Sequence, residues 1–260
     1  MYLSNLYAEL LKLRRSPISW ILLLAFGFGP VVAATFMLIL MHPETGQRLG
    51  LIASKAHLAA ANGDWPAYLS MIGQMMGIGG VIIIGFVGTY VFGREYTEGT
   101  AKNLLTLPIR RGSLVAAKFA VCAIWYAVIG IWIYAETFLL GSLLGMPGYT
   151  PALARDALLQ GLRLVPETML LVTAPAWIAV ASKGFLGPFG FTVATLLLGT
   201  ALGATGWGPW FPWTIVPLDS GMAGPDVPLP GIGAKIVLLF TCAAGWFLTW
   251  RTFDRSDNLQ

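Results

Sequence analysis

Acids set inside long apolar runs are the first places to look for chemistry, because a charge held in lipid is costly and marks a functional position by default. Two stand out. Glu136 interrupts an apolar run from about 118 to 144, and Glu167 lies near the start of another from about 164 to 181. Upstream of Glu167, Asp156, Gln160 and Arg163 follow at spacings of four, three and four, so all four share one helical face. One account makes Arg163 and Glu167 an i,i+4 pair on an interfacial helix, with Pro166 at its junction to the apolar run. The other places Glu136, Arg163 and Glu167 along an outward-opening vestibule for an amphipathic compound, cationic ones included.

Other reactive groupings are missing. The sequence has no G-x-x-x-x-G-K-[ST] loop to cradle nucleotide phosphates, and neither histidine, His42 or His57, sits in an H-E-x-x-H pattern. No metal or cofactor site is expected. Cys122 and Cys242 fall in apolar runs, where they read as small hydrophobes. An intramembrane enzyme needs converging His, Asp, Glu or Ser groups, and only Glu136 and Glu167 are available.

These residues need a scaffold, and the composition defines it. Of 260 residues, 57% are hydrophobic and 11% charged, against about 25% charged in an ordinary soluble domain. Mean hydropathy is +0.73. At about 20 residues per crossing, the apolar runs near 18–41, 68–92, 118–144, 164–181, 185–204 and 232–250 make six spans. The expected fold is an all-α integral membrane protein with one domain over residues 1–260.

Ahead of the first span, residues 2–15 place Leu3, Leu6, Tyr7 and Leu10 on one face, with Asn5, Glu9, Lys12 and Arg15 elsewhere. This reads as an amphipathic helix in the membrane interface, its basic end toward anionic head groups. Gly73, Gly77, Gly79, Gly80, Gly85 and Gly88 in the second run read as a close-packing face. The Trp- and Pro-rich segment before the last span reads as an irregular outer cap anchored at head-group level by Trp207, Trp210 and Trp213.

Six spans put both termini on one side. With the N-terminus cytoplasmic, eleven of the sixteen Lys and Arg residues fall on that side; Arg48, Lys55, Arg155, Arg163 and Lys235 fall on the other. Positive charge concentrates in cytoplasmic connections, so the termini are placed in the cytoplasm and the chain in the plasma membrane. The same distribution explains the basic pI of about 9.2 without a nucleic-acid partner.

The connection between the second and third spans, residues 93–112, is the most distinctive. Gly99 permits a turn, Thr100 is a good N-cap residue, and Pro108 is a helix stop, which together leave a helix of barely two turns from Ala101 to Leu107. Leu104, Leu105 and Leu107 make it apolar between charged flanks. Such an element either dips into the interface or docks in a groove on a partner.

The set Glu95, Gly99-Thr100, Leu104-Leu105, Pro108, Arg111 and Lys118, between the second and third of six spans, resembles permease subunits of type-2 ABC exporters of the bacitracin, lantibiotic and sodium kinds. The resemblance implies a transport subunit paired with a second permease copy, homologous or identical, and with a separate ATP-binding cassette subunit that carries ATP and magnesium. Membrane lipids are its remaining partners. It also implies that Glu95, Gly99, Thr100, Leu104, Leu105 and Pro108 face that ATPase. Lys102-Asn103, a basic and a neutral residue before the leucines, departs from the pattern. The alternatives are an intramembrane enzyme and a membrane assembly or sensor protein that transports nothing.

Overall fold

The computed structural model describes residues 2–42, 63–100, 110–224, 227 and 229–255. All regular structure among them is helical. Helix α1 (Tyr2–Arg14) is followed by α2 (Pro17–Met41), α3 (Trp65–Thr97), α4 (Arg111–Leu143), α5 (Pro151–Leu170), α6 (Thr173–Ser182), α7 (Leu186–Gly203), α8 (Pro212–Asp219) and α9 (Ile232–Arg255). Six segments are long and apolar enough to cross a membrane: α2, α3, α4, α5 with α6, α7 and α9.

Local chemistry sets where several spans begin. Ser16, Asp64 and Thr150 each turn a side-chain oxygen onto a backbone N–H of the first turn, at 3.2, 2.9 and 3.2 Å. Each is followed by a proline at the first or second helical position, where a missing N–H is no loss.

Helix α3 is the axis of the bundle. It packs on α2, α4, α5, α6, α7 and α8, and 67% of its apolar window is buried, against 28% for α2 and 22% each for α7 and α9. The glycine face permits this. A Cβ at Gly73, Gly77, Gly80, Gly85 or Gly88 would meet Gln160, Ser220, Tyr126, Thr192 or Val172 respectively, while one at Gly79 would meet nothing. The outer helices keep broad apolar faces, as lipid requires.

Three expectations need correction. Helices α3 and α4 run past their apolar cores: α3 continues to Thr97, and α4 starts at Arg111, about two turns before Lys118. The connection is therefore shorter than 93–112. Glu95 and Lys118 lie inside these helices and pair with each other at 2.9 Å.

Pro166 is no junction, since α5 passes through it and the break falls at Leu171–Val172. The polar stripe thus rides on the first part of a broken span, packed on α3, and not on a separate interfacial helix. Pro166 lacks the N–H of one helical bond, and α5 continues through it while packed on α3.

The segment after α7 is not wholly irregular. Helix α8 folds back into the bundle with Thr214 to Asp219 all buried, against α3, α7 and α9. Trp207 and Trp210 are exposed, whereas Trp213 packs on Phe191 and Phe211.

Candidate functional site

Two ionic clusters stand out, at opposite ends of the bundle. The first joins α1, the end of α3 and the start of α4. Lys118 is fully buried, and its ammonium donates to Glu9 Oε2 at 3.1 Å, Glu95 Oε1 at 2.9 Å and the Val91 carbonyl at 3.0 Å. All three of its donors are used. Lys12 closes the ring, donating to Glu9 Oε1 at 2.6 Å and Glu95 Oε1 at 3.0 Å. Two carboxylates and two ammonium groups leave no net charge, the condition under which buried ions are tolerated.

Burial alone would push the Glu9 carboxyl up, but Lys118 and Lys12 outweigh it and hold its pKa below the ordinary value. Burial works against Lys12 in the same way, and Glu9 and Glu95 outweigh it to raise its pKa.

The cluster shows which side of α1 meets the bundle. The polar side of this helix faces the protein, with Glu9 in the cluster and Asn5 donating to Ser113 at 3.2 Å. Leu3 and Tyr7 point outward, while Leu6 and Leu10 pack against the core. Lys12, expected to reach for head groups, turns inward because two buried carboxylates attract it more strongly than solvent does. Lys118 enters the sequence reading only as part of the family pattern, and Glu9 and Lys12 only as polar positions of α1; no spacing rule joins them to Glu95.

Directly beyond the cluster, Gly99 adopts a φ of +70°, in the left-handed region that favours glycine. The turn expected there is present. The Thr100 hydroxyl donates back to the Glu95 carbonyl at 3.4 Å, tying the connection to α3. Leu104, Leu105, Pro108 and the helix expected over Ala101–Leu107 lie outside the described residues. Glu95, expected to face a partner, is 3% exposed; its carboxylate serves the cluster.

The second cluster lies at the other end, where α5, α8 and α9 meet. Arg163 and Glu167 do not pair with each other. Arg163 Nε lies 2.8 Å from Asp219 Oδ2 and its Nη2 donates to the Asp219 carbonyl at 3.2 Å, while Lys235 donates to Glu167 at 2.6 Å and lies 3.4 Å from Asp219. Gln160 donates to the Ser220 carbonyl at 3.1 Å. The stripe therefore binds α8 and α9 to α5. Asp219 and Lys235, which complete it, had no visible relation to the stripe in sequence.

Beside this cluster is an open cleft of about 470 Å³, lined by Asp156, Gln160 and Arg163 with Pro66, Leu69 and Ser70. Glu136 is not in its lining. It sits on the α2–α4 seam against Gly27, where a Cβ would meet both Trp132 and the Glu136 carboxylate. Its Oε2 is buried with no hydrogen-bond partner. The structure thus brings Arg163 and Glu167 together through intermediaries and leaves Glu136 apart.

Residues 5–199 match the family model described as ABC-2 family transporter protein. The match covers α1 to α7 in large part and stops short of Asp219 and Lys235. The chain is also 28% identical, over 150 residues, to the bacitracin transport permease protein BCRB of Bacillus licheniformis, an alignment spanning 57% of this chain and 72% of the relative. With six spans, a buried charge ring at one end and a polar cleft at the other, the chain belongs to the ABC-2 family of transporter proteins as a multi-pass membrane subunit.

Proposed function

We propose that this subunit is the permease half of an ATP-driven exporter, coupled through residues 98–110 to a separate ATP-binding subunit and paired with a second permease copy. The buried ring of Glu9, Lys12, Glu95 and Lys118 carries the reading. It fastens together the two helices that enter and leave the connection and adds α1 to them. A push on the connection moves α3 and α4 as one body, and α3 touches most of the other spans. That is what alternating access needs: an energy input at one end converted to a rearrangement of packed helices.

In this reading the basic end, with both termini, is cytoplasmic and the membrane is the plasma membrane. Gly99, Thr100, Leu104, Leu105 and Pro108 form the surface toward the ATPase. Glu95 acts from behind it as an anchor. ATP and magnesium are held by the partner. The cleft beside Gln160 and Arg163, with Glu136 and Glu167, forms the outward part of the path for a peptide antibiotic, drug or other amphipathic compound. The relative named for bacitracin transport supports that substrate class.

The test is co-purification. The full chain should retain an ATP-binding subunit expressed with it, and deletion of Ala101–Leu107 should abolish retention while the permease still folds. Retention by the deleted chain, or ATP hydrolysis by the purified chain alone, would overturn the proposal.

A further inference from the structure

A groove of about 330 Å³ runs between α2, α3 and the start of α7, lined by Ile18, Ile21, Leu22, Phe86, Tyr90 and Phe189, with Thr89 and Phe185. It lies on the periphery of the bundle: Ile21 is 59% exposed and Phe189 43%. Two features separate it from an ordinary lipid-facing surface. The Thr89 hydroxyl is buried in its wall with no hydrogen-bond partner, and Arg94 Nε, one helical turn beyond Tyr90 and outside the lining, is also buried without one.

Arg94 lies against the Tyr90 ring at 5.5 Å and donates to the Tyr90 hydroxyl at 3.5 Å. No carboxylate pairs with it among the described residues, in contrast to Lys12 and Lys118 on the same end of the bundle. Further cations neighbour the groove's residues in sequence. Ser16, bonded to the Tyr90 hydroxyl at 2.6 Å, directly follows Arg14 and Arg15, and Lys183 stands two residues before Phe185, whose ring stacks on Tyr90. Among the described residues these three are likewise without carboxylate partners.

The geometry points to a binding site for one anionic glycerophospholipid, an acyl chain in the groove and the phosphate on Arg94. An apolar slot ending in unpaired cations matches a molecule with a hydrocarbon tail and an anionic head. A guanidinium suits phosphate better than an ammonium does, since its planar N–H groups fit the oxygens in pairs. None of its residues belongs to the path proposed above, and its occupancy is read without transport, so it stands or falls apart from the exporter reading.

The purified full chain, equilibrated in detergent with palmitoyl-oleoyl phosphatidylglycerol or phosphatidylcholine, is measured by native mass spectrometry. Wild type should retain one phosphatidylglycerol in preference to phosphatidylcholine. Arg94→Gln should weaken retention of phosphatidylglycerol about fivefold, the effect of one cation at an anionic lipid, and leave phosphatidylcholine unchanged. Ile21→Trp, which fills the groove, should reduce retention of both lipids with the thermal midpoint intact, and Phe189→Ala should weaken both. Equal retention of the two lipids by wild type, no effect of Arg94→Gln, displacement of the lipid by equimolar inorganic phosphate, or cross-linking of two copies through Ile21→Cys would each overturn the site.

Discussion

Lys118 Nζ lies 2.9 Å from Glu95 Oε1, wholly buried, at the point where the chain leaves α3 and returns in α4. Removing one member of a buried ion pair costs about 3–5 kcal/mol because the other is left uncompensated. Lys118→Met should lower stability by that order in a thermal or denaturant titration of the detergent-purified chain. Glu95→Gln combined with Lys118→Met leaves the neutral pair Glu9–Lys12 and should recover most of the loss. The double variant should still transport poorly, since the link between the two helices is gone. Full transport by it would confine the ring to a structural role.

The ring also sets a pH dependence. The folded-state pKa of Glu9 is below its ordinary 4.5. Its contribution is therefore fully present above that value and is lost as pH falls through the lower, folded one. For Lys12 the folded pKa lies above the ordinary 10.5, so its contribution holds below 10.5 and fades as pH rises through the folded value. Thermal midpoints should be level through the neutral range and fall on the acid side below about 4.5. Glu9→Gln should make that acid limb shallower.

The outer cluster depends on its most buried member. Asp219 is 3% exposed and serves both Arg163 and Lys235, whereas Glu167 meets Lys235 alone among them. Asp219→Asn should cost about 1–3 kcal/mol and release α8, seen as faster proteolysis between Ala204 and Gly231. Glu167→Gln should cost less. The reverse order would show that Asp219 does not hold α8.

Glu136 has no ion-pair partner among the described residues, so Glu136→Gln should leave the thermal midpoint unchanged or raise it. If Glu136 contributes to the path, the same variant should lower resistance to, or export of, a cationic peptide antibiotic. Unchanged transport would remove Glu136 from the path.

Gly77 and Gly79 offer a paired control on one helix. Gly77→Ala drives a methyl group into Ser220 and the Pro217 backbone, and Gly79→Ala meets nothing. Overpacking of this kind costs about 1–3 kcal/mol. Only the first variant should lose stability; equal effects would rule out the contact between α3 and α8.

Most spans were legible because each is a continuous apolar run; the fourth, Pro151–Ser182, was legible only from about 164, because the polar stripe hides its first half. The glycine face of α3 was legible because its periodicity is local. The ionic clusters were not. Glu9 and Lys118 are separated by 109 residues and Arg163 and Asp219 by 56, and no spacing rule connects residues on different helices. The leucines of α1 showed an amphipathic helix and left open which residues meet the bundle; Glu9 is buried there because its partner Lys118 lies elsewhere in the chain. At the stripe, Arg163 and Glu167 met the spacing for a local pair, and longer-range partners won.

The link from Glu9 to Lys118 also joins residues that are made at different times. The ribosome makes Glu9 and Lys12 long before the third span exists, so during synthesis the two can only neutralise each other, as an i,i+3 pair on a short helix afloat at the membrane surface. The bond from Glu9 to Lys118 can form only once Lys118 has emerged and α4 has inserted beside α3. Helix α1 thus precedes α4 in the chain yet completes its ion pairs only after α4 is in place.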